Sequence, residues 1–201
     1  MPTPDPYLEA TEIIDWDHPE VSALARALAE GHDDPSAVAR ACFEWVRDEV
    51  AHSWEHQRDV VTLKASEVLS ARTGFCYAKS HLLAALLRAN GLPTGLCYQR
   101  LSVDDQGAPF CLHGLNAVRL PGQGWYRLDP RGNNATIDAQ FTPPLERLAF
   151  PIRLDGEADL PEIWAEPLPV VVRCLSAAQS IREVYERLPD LPLISPPAPP
   201  L

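Results

Sequence analysis

The stretch from Gly74 to Gly91 constrains this chain most. It carries a glycine turn, a cysteine at the first helical position, a long apolar helix and a glycine stop. Positions 76, 80, 83 and 87 share one helical line, so Cys76 lies on the face of Leu83 and Leu87. Those leucines predict a helix anchored in the core that carries the sulfur inward at its amino-terminal end. Unpaired N–H groups and partial positive charge gather at such an end, where a thiolate is stabilised and available as a nucleophile. Most free cysteines are only small buried hydrophobes, so the assignment depends on what the rest of the chain brings to the sulfur.

Composition narrows the classes. A chain of 201 residues, 46% hydrophobic and 22% charged, is ample for one cored domain. A net charge of −11 argues against nucleic acid or an anionic membrane surface as partner. Five cysteines, Cys42, Cys76, Cys97, Cys111 and Cys174, have no paired spacing. They fit free thiols in a reducing compartment, without a zinc knuckle or a redox pair. The first thirty residues lack a basic start followed by an apolar run, and no apolar span has membrane length. The expected location is cytoplasmic. Six of the 21 prolines fall within residues 189–201, which predicts a Pro-rich extended tail behind a single domain of residues 1–188.

Helical periodicity dominates the first half. Val21, Leu24, Ala25 and Leu28 form one stripe, and Val38, Ala41, Cys42, Trp45 and Val46 a second, each helix opening with a proline. Residues 64–72 form a short helix, and residues 52–62 have no clear period. After Pro93 the period changes to strands over 94–103, 110–120 and 125–129, with short candidates near 136–141, 150–154 and a further strand over 168–175. Ser176-Ala177-Ala178-Gln179 reads as a capping box opening a last helix. Helices first and antiparallel strands afterwards define an α+β domain.

A cysteine nucleophile needs a base within reach and a group to orient it. Of six histidines, His81 stands on the wrong side of the Cys76 helix, whereas His113 lies within an apolar strand. Asp129 closes the next strand. In a hairpin, opposed residues share an index sum whose parity decides which side chains share a face. An even sum of 244, which requires an odd loop or a bulge within 121–124, places His113 diagonal to Asp129, roughly 7–8 Å away by backbone and within side-chain reach. An odd sum separates them across the sheet.

Gly74-Phe75-Cys76 opening a helix, the exit Leu87-Arg88-Ala89-Asn90-Gly91-Leu92-Pro93, His113 in a strand and Gly124-Trp125-Tyr126-Arg127-Leu128-Asp129-Pro130 together resemble the transglutaminase-like superfamily. The likeness covers roughly residues 35–135. It implies a papain-like α+β fold with the Cys-bearing helix on an antiparallel sheet, and a Cys-His-Asp triad. Carried over, Cys76 is the nucleophile, His113 the base and then the acid, and Asp129 the orienting carboxylate. The implied chemistry is acyl transfer through a thioester, with no cofactor and no metal, on a peptide, protein or small amide. Hydrolysis is the leading expectation; transfer to an amine and a non-catalytic binding module are the rivals. Leu115 replaces a frequent tryptophan and Arg131 a frequent threonine, both where substrate approaches. A second oxyanion donor is unassigned, with Trp54 and Gln57 as candidates. Lys79 and Arg131 are read as solvated charges, and Cys97 and Cys111 as packing residues on strands flanking that of His113. A Cys76/His113/Cys111 metal site lacks ligand spacing.

Overall fold

A proline at the first helical position, where no N–H is needed, starts both α1 (Pro19–Ala29) and α2 (Pro35–Glu49), and Asp34 caps the latter by accepting from the Ala37 N–H. The computed structural model describes residues 5–193. A two-residue strand, β1 (Ala51–His52), follows α2 and pairs in parallel with β2 (Thr73–Gly74) beyond α3 (Ala65–Ala71). This small pair was not foreseen in the aperiodic stretch after residue 52. Two-residue strands are too short to show a period.

The helix of the opening stretch, α4 (Cys76–Ala89), is buried on every side from Cys76 through Arg88. An apolar stripe alone predicts one buried face; α4 is instead the central rod. Helices α1, α2 and α3 pack against it on one side, and β3 (Thr94–Ser102) and β4 (Phe110–Leu120) on the other. Its polar side chains are spent on backbone. Arg88 donates to the carbonyls of Thr94, Glu9 and Ala165. The end is a Schellman turn: Leu92 N–H to Leu87 C=O and Gly91 N–H to Arg88 C=O, with Gly91 at φ +74°.

The main sheet has the order β5-β4-β3-β6, antiparallel throughout, with β5 at Gly124–Leu128 and β6 at Ala158–Asp159. The β4–β5 pairs run from Leu120↔Gly124 to Asn116↔Leu128, an index sum of 244 closed by the three-residue loop 121–123. The even sum needed to bring His113 and Asp129 to one face is the one found.

The second half departs from expectation in four places. Residues 169–177 form a helix, α5, rather than a strand. Pro169 starts it, and Val171 and Leu175, one turn apart, are its buried residues, so burial at helical spacing overrides the β preference of three valines. The capping residue of α6 (Ile181–Glu186) is Ser180, which accepts from the Glu183 N–H while Glu183 reaches back to Gln179. The box thus lies four residues beyond Ser176. Neither short strand candidate forms; an isolated Gln140–Arg147 bridge and β6 stand in their region. Pro189 and Asp190, at the head of the Pro-rich segment, are fastened to the sheet: Leu112 N–H donates to Pro189 C=O at 2.7 Å, and Arg100 clasps both Asp190 oxygens at 2.7 Å. Residues 194–201 lie outside those described.

Candidate active site

Strand β4 runs past the end of β5, and the N–H groups of Leu112 and Gly114 find no strand partner on that edge. Leu112 is covered by Pro189. Gly114 N–H points at the Cys76 Sγ, 3.5 Å away. The helix end can come this near because residue 114 is glycine: a Cβ there would stand 3.0 Å from Tyr77 Cδ1 and 3.1 Å from Tyr77 Cα. Tyr77 then fixes the approach, its hydroxyl donating to Leu112 C=O. Cys76 itself is 7% exposed, at the wall of a cleft of about 530 Å³.

His113 leaves β4 on the other face, with Leu115 and Ala117, beneath the segment that includes Leu148 and Phe150. Its Nε2 donates to Asp129 Oδ2 at 2.7 Å. That leaves Nδ1 as the ring nitrogen available to the Cys76 sulfur. Asp129, fully buried one step beyond β5, also accepts from the N–H groups of Ala149 and Arg131. Burial alone disfavours both charges. For His113 the burial cost is outweighed by the Asp129 carboxylate and by negative charge at Cys76, and its pKa is pushed up to about 10. For Asp129 burial pulls upward, but the His113 charge and three donated hydrogen bonds hold the carboxyl below its usual range. The structure therefore brings together Cys76, His113 and Asp129, the three residues singled out in the sequence.

Other expectations change. Lys79 is not solvated. It is fully buried, donating to Val50 C=O and, at 3.4 Å, to Arg47 C=O at the carboxyl end of α2. Burial lowers its pKa to about 7 against the opposing pull of Asp129. Arg131 is not free either: its guanidinium holds Glu55 at 2.7 Å and lies over the Phe150 ring. Gln57 is exposed, its amide spent on Trp54 C=O. Trp54 does reach the cleft, stacked flat on Tyr185 with ring centres 3.9 Å apart. Cys111 lies on β4 itself, two residues before His113, not on a flanking strand. Burial pushes the thiols of Cys42, Cys97 and Cys111 up to about 12. His52, passed over as part of an irregular polar stretch, lines the same cleft.

An α+β fold with a cysteine at the head of a central helix and a His–Asp pair on adjacent strands defines the transglutaminase-like architecture. The profile of the Transglutaminase-like superfamily matches residues 22–130, and the chain belongs to that superfamily. Among solved structures, a candidate cysteine protease from Cytophaga hutchinsonii is similar at 20% identity and a TM-score of 0.49, over 63% of this chain and 41% of that one. The periplasmic domain of TgpA from Pseudomonas aeruginosa is similar at 23% identity and a TM-score of 0.45, over 62% and 45%. The matched part is thus less than half of either solved chain. No curated protein matches. No helix among the described residues is long and apolar enough to cross a membrane.

Proposed function

We propose that this protein is a cysteine-dependent acyl-transfer enzyme that hydrolyses a peptide or other amide bond through a thioester on Cys76. The observation that carries the reading is His113, whose Nε2 holds the buried Asp129 carboxylate at 2.7 Å while the ring shares with Cys76 the wall of an open cleft. Cys76, as thiolate, adds to the substrate carbonyl, and the carbonyl electron pair moves to oxygen. His113, as imidazolium, gives its proton to the leaving amine as the tetrahedral adduct collapses. The neutral imidazole then takes a proton from water, whose oxygen attacks the thioester; collapse of this second adduct releases the carboxylic acid and restores the Cys76 thiolate beside the His113 imidazolium. Asp129 holds the ring in the required tautomer and stabilises its charge. The stacked Trp54–Tyr185 pair and Phe150 offer apolar walls for the residues flanking the scissile bond. Five free thiols support a reducing, cytoplasmic setting.

Intact-mass spectrometry of the protein mixed with an activated acyl ester tests the reading. One acyl group is expected on Cys76 and none on Cys76→Ala, with both proteins melting alike. Discharge that follows water, and does not accelerate with added alkylamine, supports hydrolysis; amine-dependent discharge to an amide replaces it with transferase activity. Unfolding of Cys76→Ala, or acylation spread over all five cysteines, would return Cys76 to a packing role.

A further inference from the structure

Tetrahedral adducts at a cysteine need two donors for the oxygen that becomes negative, and the helix start supplies one, the Cys76 N–H at the first position of α4. Of the side chains suggested by the sequence, Trp54 lines the cleft with one ring face stacked on Tyr185, and Gln57 is turned outward and spent on Trp54 C=O. His52 has the opposite profile to Gln57. It is 8% exposed, lines the cleft together with Cys76 and His113, and packs edge-on against Phe75, the residue before the nucleophile. Its backbone is pinned opposite Gly74 in the β1–β2 pair, and the next residue, Ser53, donates its N–H to Gly74 C=O at 3.0 Å. The ring therefore holds a fixed position beside the first turn of α4.

The His52 Nδ1 is sealed from solvent with no hydrogen-bond partner among the described residues, as are His18 Nδ1 and His81 Nε2, but of these three rings only that of His52 lines the cleft. A buried polar atom left unpaired destabilises a fold, and an apolar ring would pack as well against Phe75. We propose that His52 is a catalytic residue, whose imidazole N–H joins the Cys76 N–H in holding the oxyanion formed when Cys76 adds to the substrate carbonyl. The inference rests on the acyl-transfer reading of Cys76. Burial first, then the charges of Arg131, Lys79 and His113, keep the His52 ring neutral. A neutral ring donates one N–H without becoming a second acid in competition with His113.

Two reagents separate this role from a structural one. p-Nitrophenyl acetate acylates the thiolate through a tetrahedral oxyanion: the C–S bond forms, the carbonyl pair moves to oxygen, and its return expels nitrophenolate. Iodoacetamide alkylates the same thiolate by displacing iodide at a saturated carbon, with no oxyanion. His52→Phe keeps an aromatic ring against Phe75 but has no N–H; His52→Gln restores a donor. The nitrophenolate burst of His52→Phe should slow by about 10²- to 10³-fold, while alkylation of Cys76 stays within about twofold of wild type. His52→Gln should recover most of the burst, and His52→Phe should melt no lower than wild type. Equal slowing of both reactions would make His52 a support of the nucleophile and overturn the proposal, as would an unchanged burst in His52→Phe. Should wild-type Cys76 react with neither reagent ahead of the other thiols, the acyl-transfer reading itself fails and the role of His52 with it.

Discussion

Asp129 gathers the hydrogen bonds of His113, Ala149 and Arg131 on one buried carboxylate, so its replacement is the sharpest change a single residue offers. Asparagine keeps the shape but removes the charge and offers an N–H where His113 now donates. Turnover of Asp129→Asn should fall by about 10²- to 10⁴-fold. The Asp129 charge raises the His113 pKa, so the alkaline limb of kcat/KM, expected near pH 10 where the imidazolium is lost, should move to lower pH in the same variant. A limb left in place would remove His113 from the role of acid. Gly114→Ala puts a methyl group against the Tyr77 backbone and should push the sulfur away from the imidazole, lowering alkylation of Cys76 more than the melting temperature. That Cys76, His113 and Asp129 could meet was legible because a glycine-led helix start, an apolar strand and a hairpin register can each be read from residue order. His52 and Lys79 were not: His52 lies in a stretch without period, and nothing in a linear helix pattern reveals that a lysine points at the carbonyl end of another helix.

The β4–β5 hairpin shows how far element-level reasoning reaches. Alternation and a short loop were enough to state the register on which the His–Asp contact depends, and the three-residue loop 121–123 gives the even index sum. The same reasoning failed at α5, where three consecutive valines read as strand. The deciding quantity there was the burial of Val171 and Leu175 one turn apart, a tertiary fact. Composition likewise suggested a tail from residue 189, yet Asp190 is bound by Arg100 and Pro189 covers the Leu112 N–H beside His113. Arg100→Ala should release that strap, cost about 1–3 kcal/mol as a charged, part-buried pair is broken, and speed amide exchange at Leu112 well beyond that at Asn116. Equal protection of Leu112 in both proteins would contradict the strap.

Across the whole molecule, buried charges of opposite tendency set the pH dependence of stability. His113 binds a proton more tightly when folded, so from about pH 6.5 to about 10 its contribution falls as pH rises. Lys79, lowered to about 7, releases a proton on folding that the unfolded chain keeps, so its contribution rises over about pH 7 to 10.5. The two oppose, and between pH 7 and 8 wild-type stability should be nearly flat in urea unfolding. Above about pH 8.5 it should decline, because Cys42, Cys97 and Cys111 keep protons that unfolded thiols lose. Lys79→Met removes the rising part and should expose a downward slope of up to about 1.4 kcal/mol per pH unit from pH 7 to 8; an unchanged slope would contradict the low pKa. The central claim, that Cys76, His113 and Asp129 act as one nucleophilic unit, is tested most directly by mapping iodoacetamide alkylation by mass spectrometry at pH 7 in the wild type and in His113→Gln. The account predicts that Cys76 reacts at least about tenfold ahead of the buried thiols in the wild type and loses that lead in His113→Gln. Comparable rates at all five cysteines, or a lead that survives the loss of His113, would contradict it.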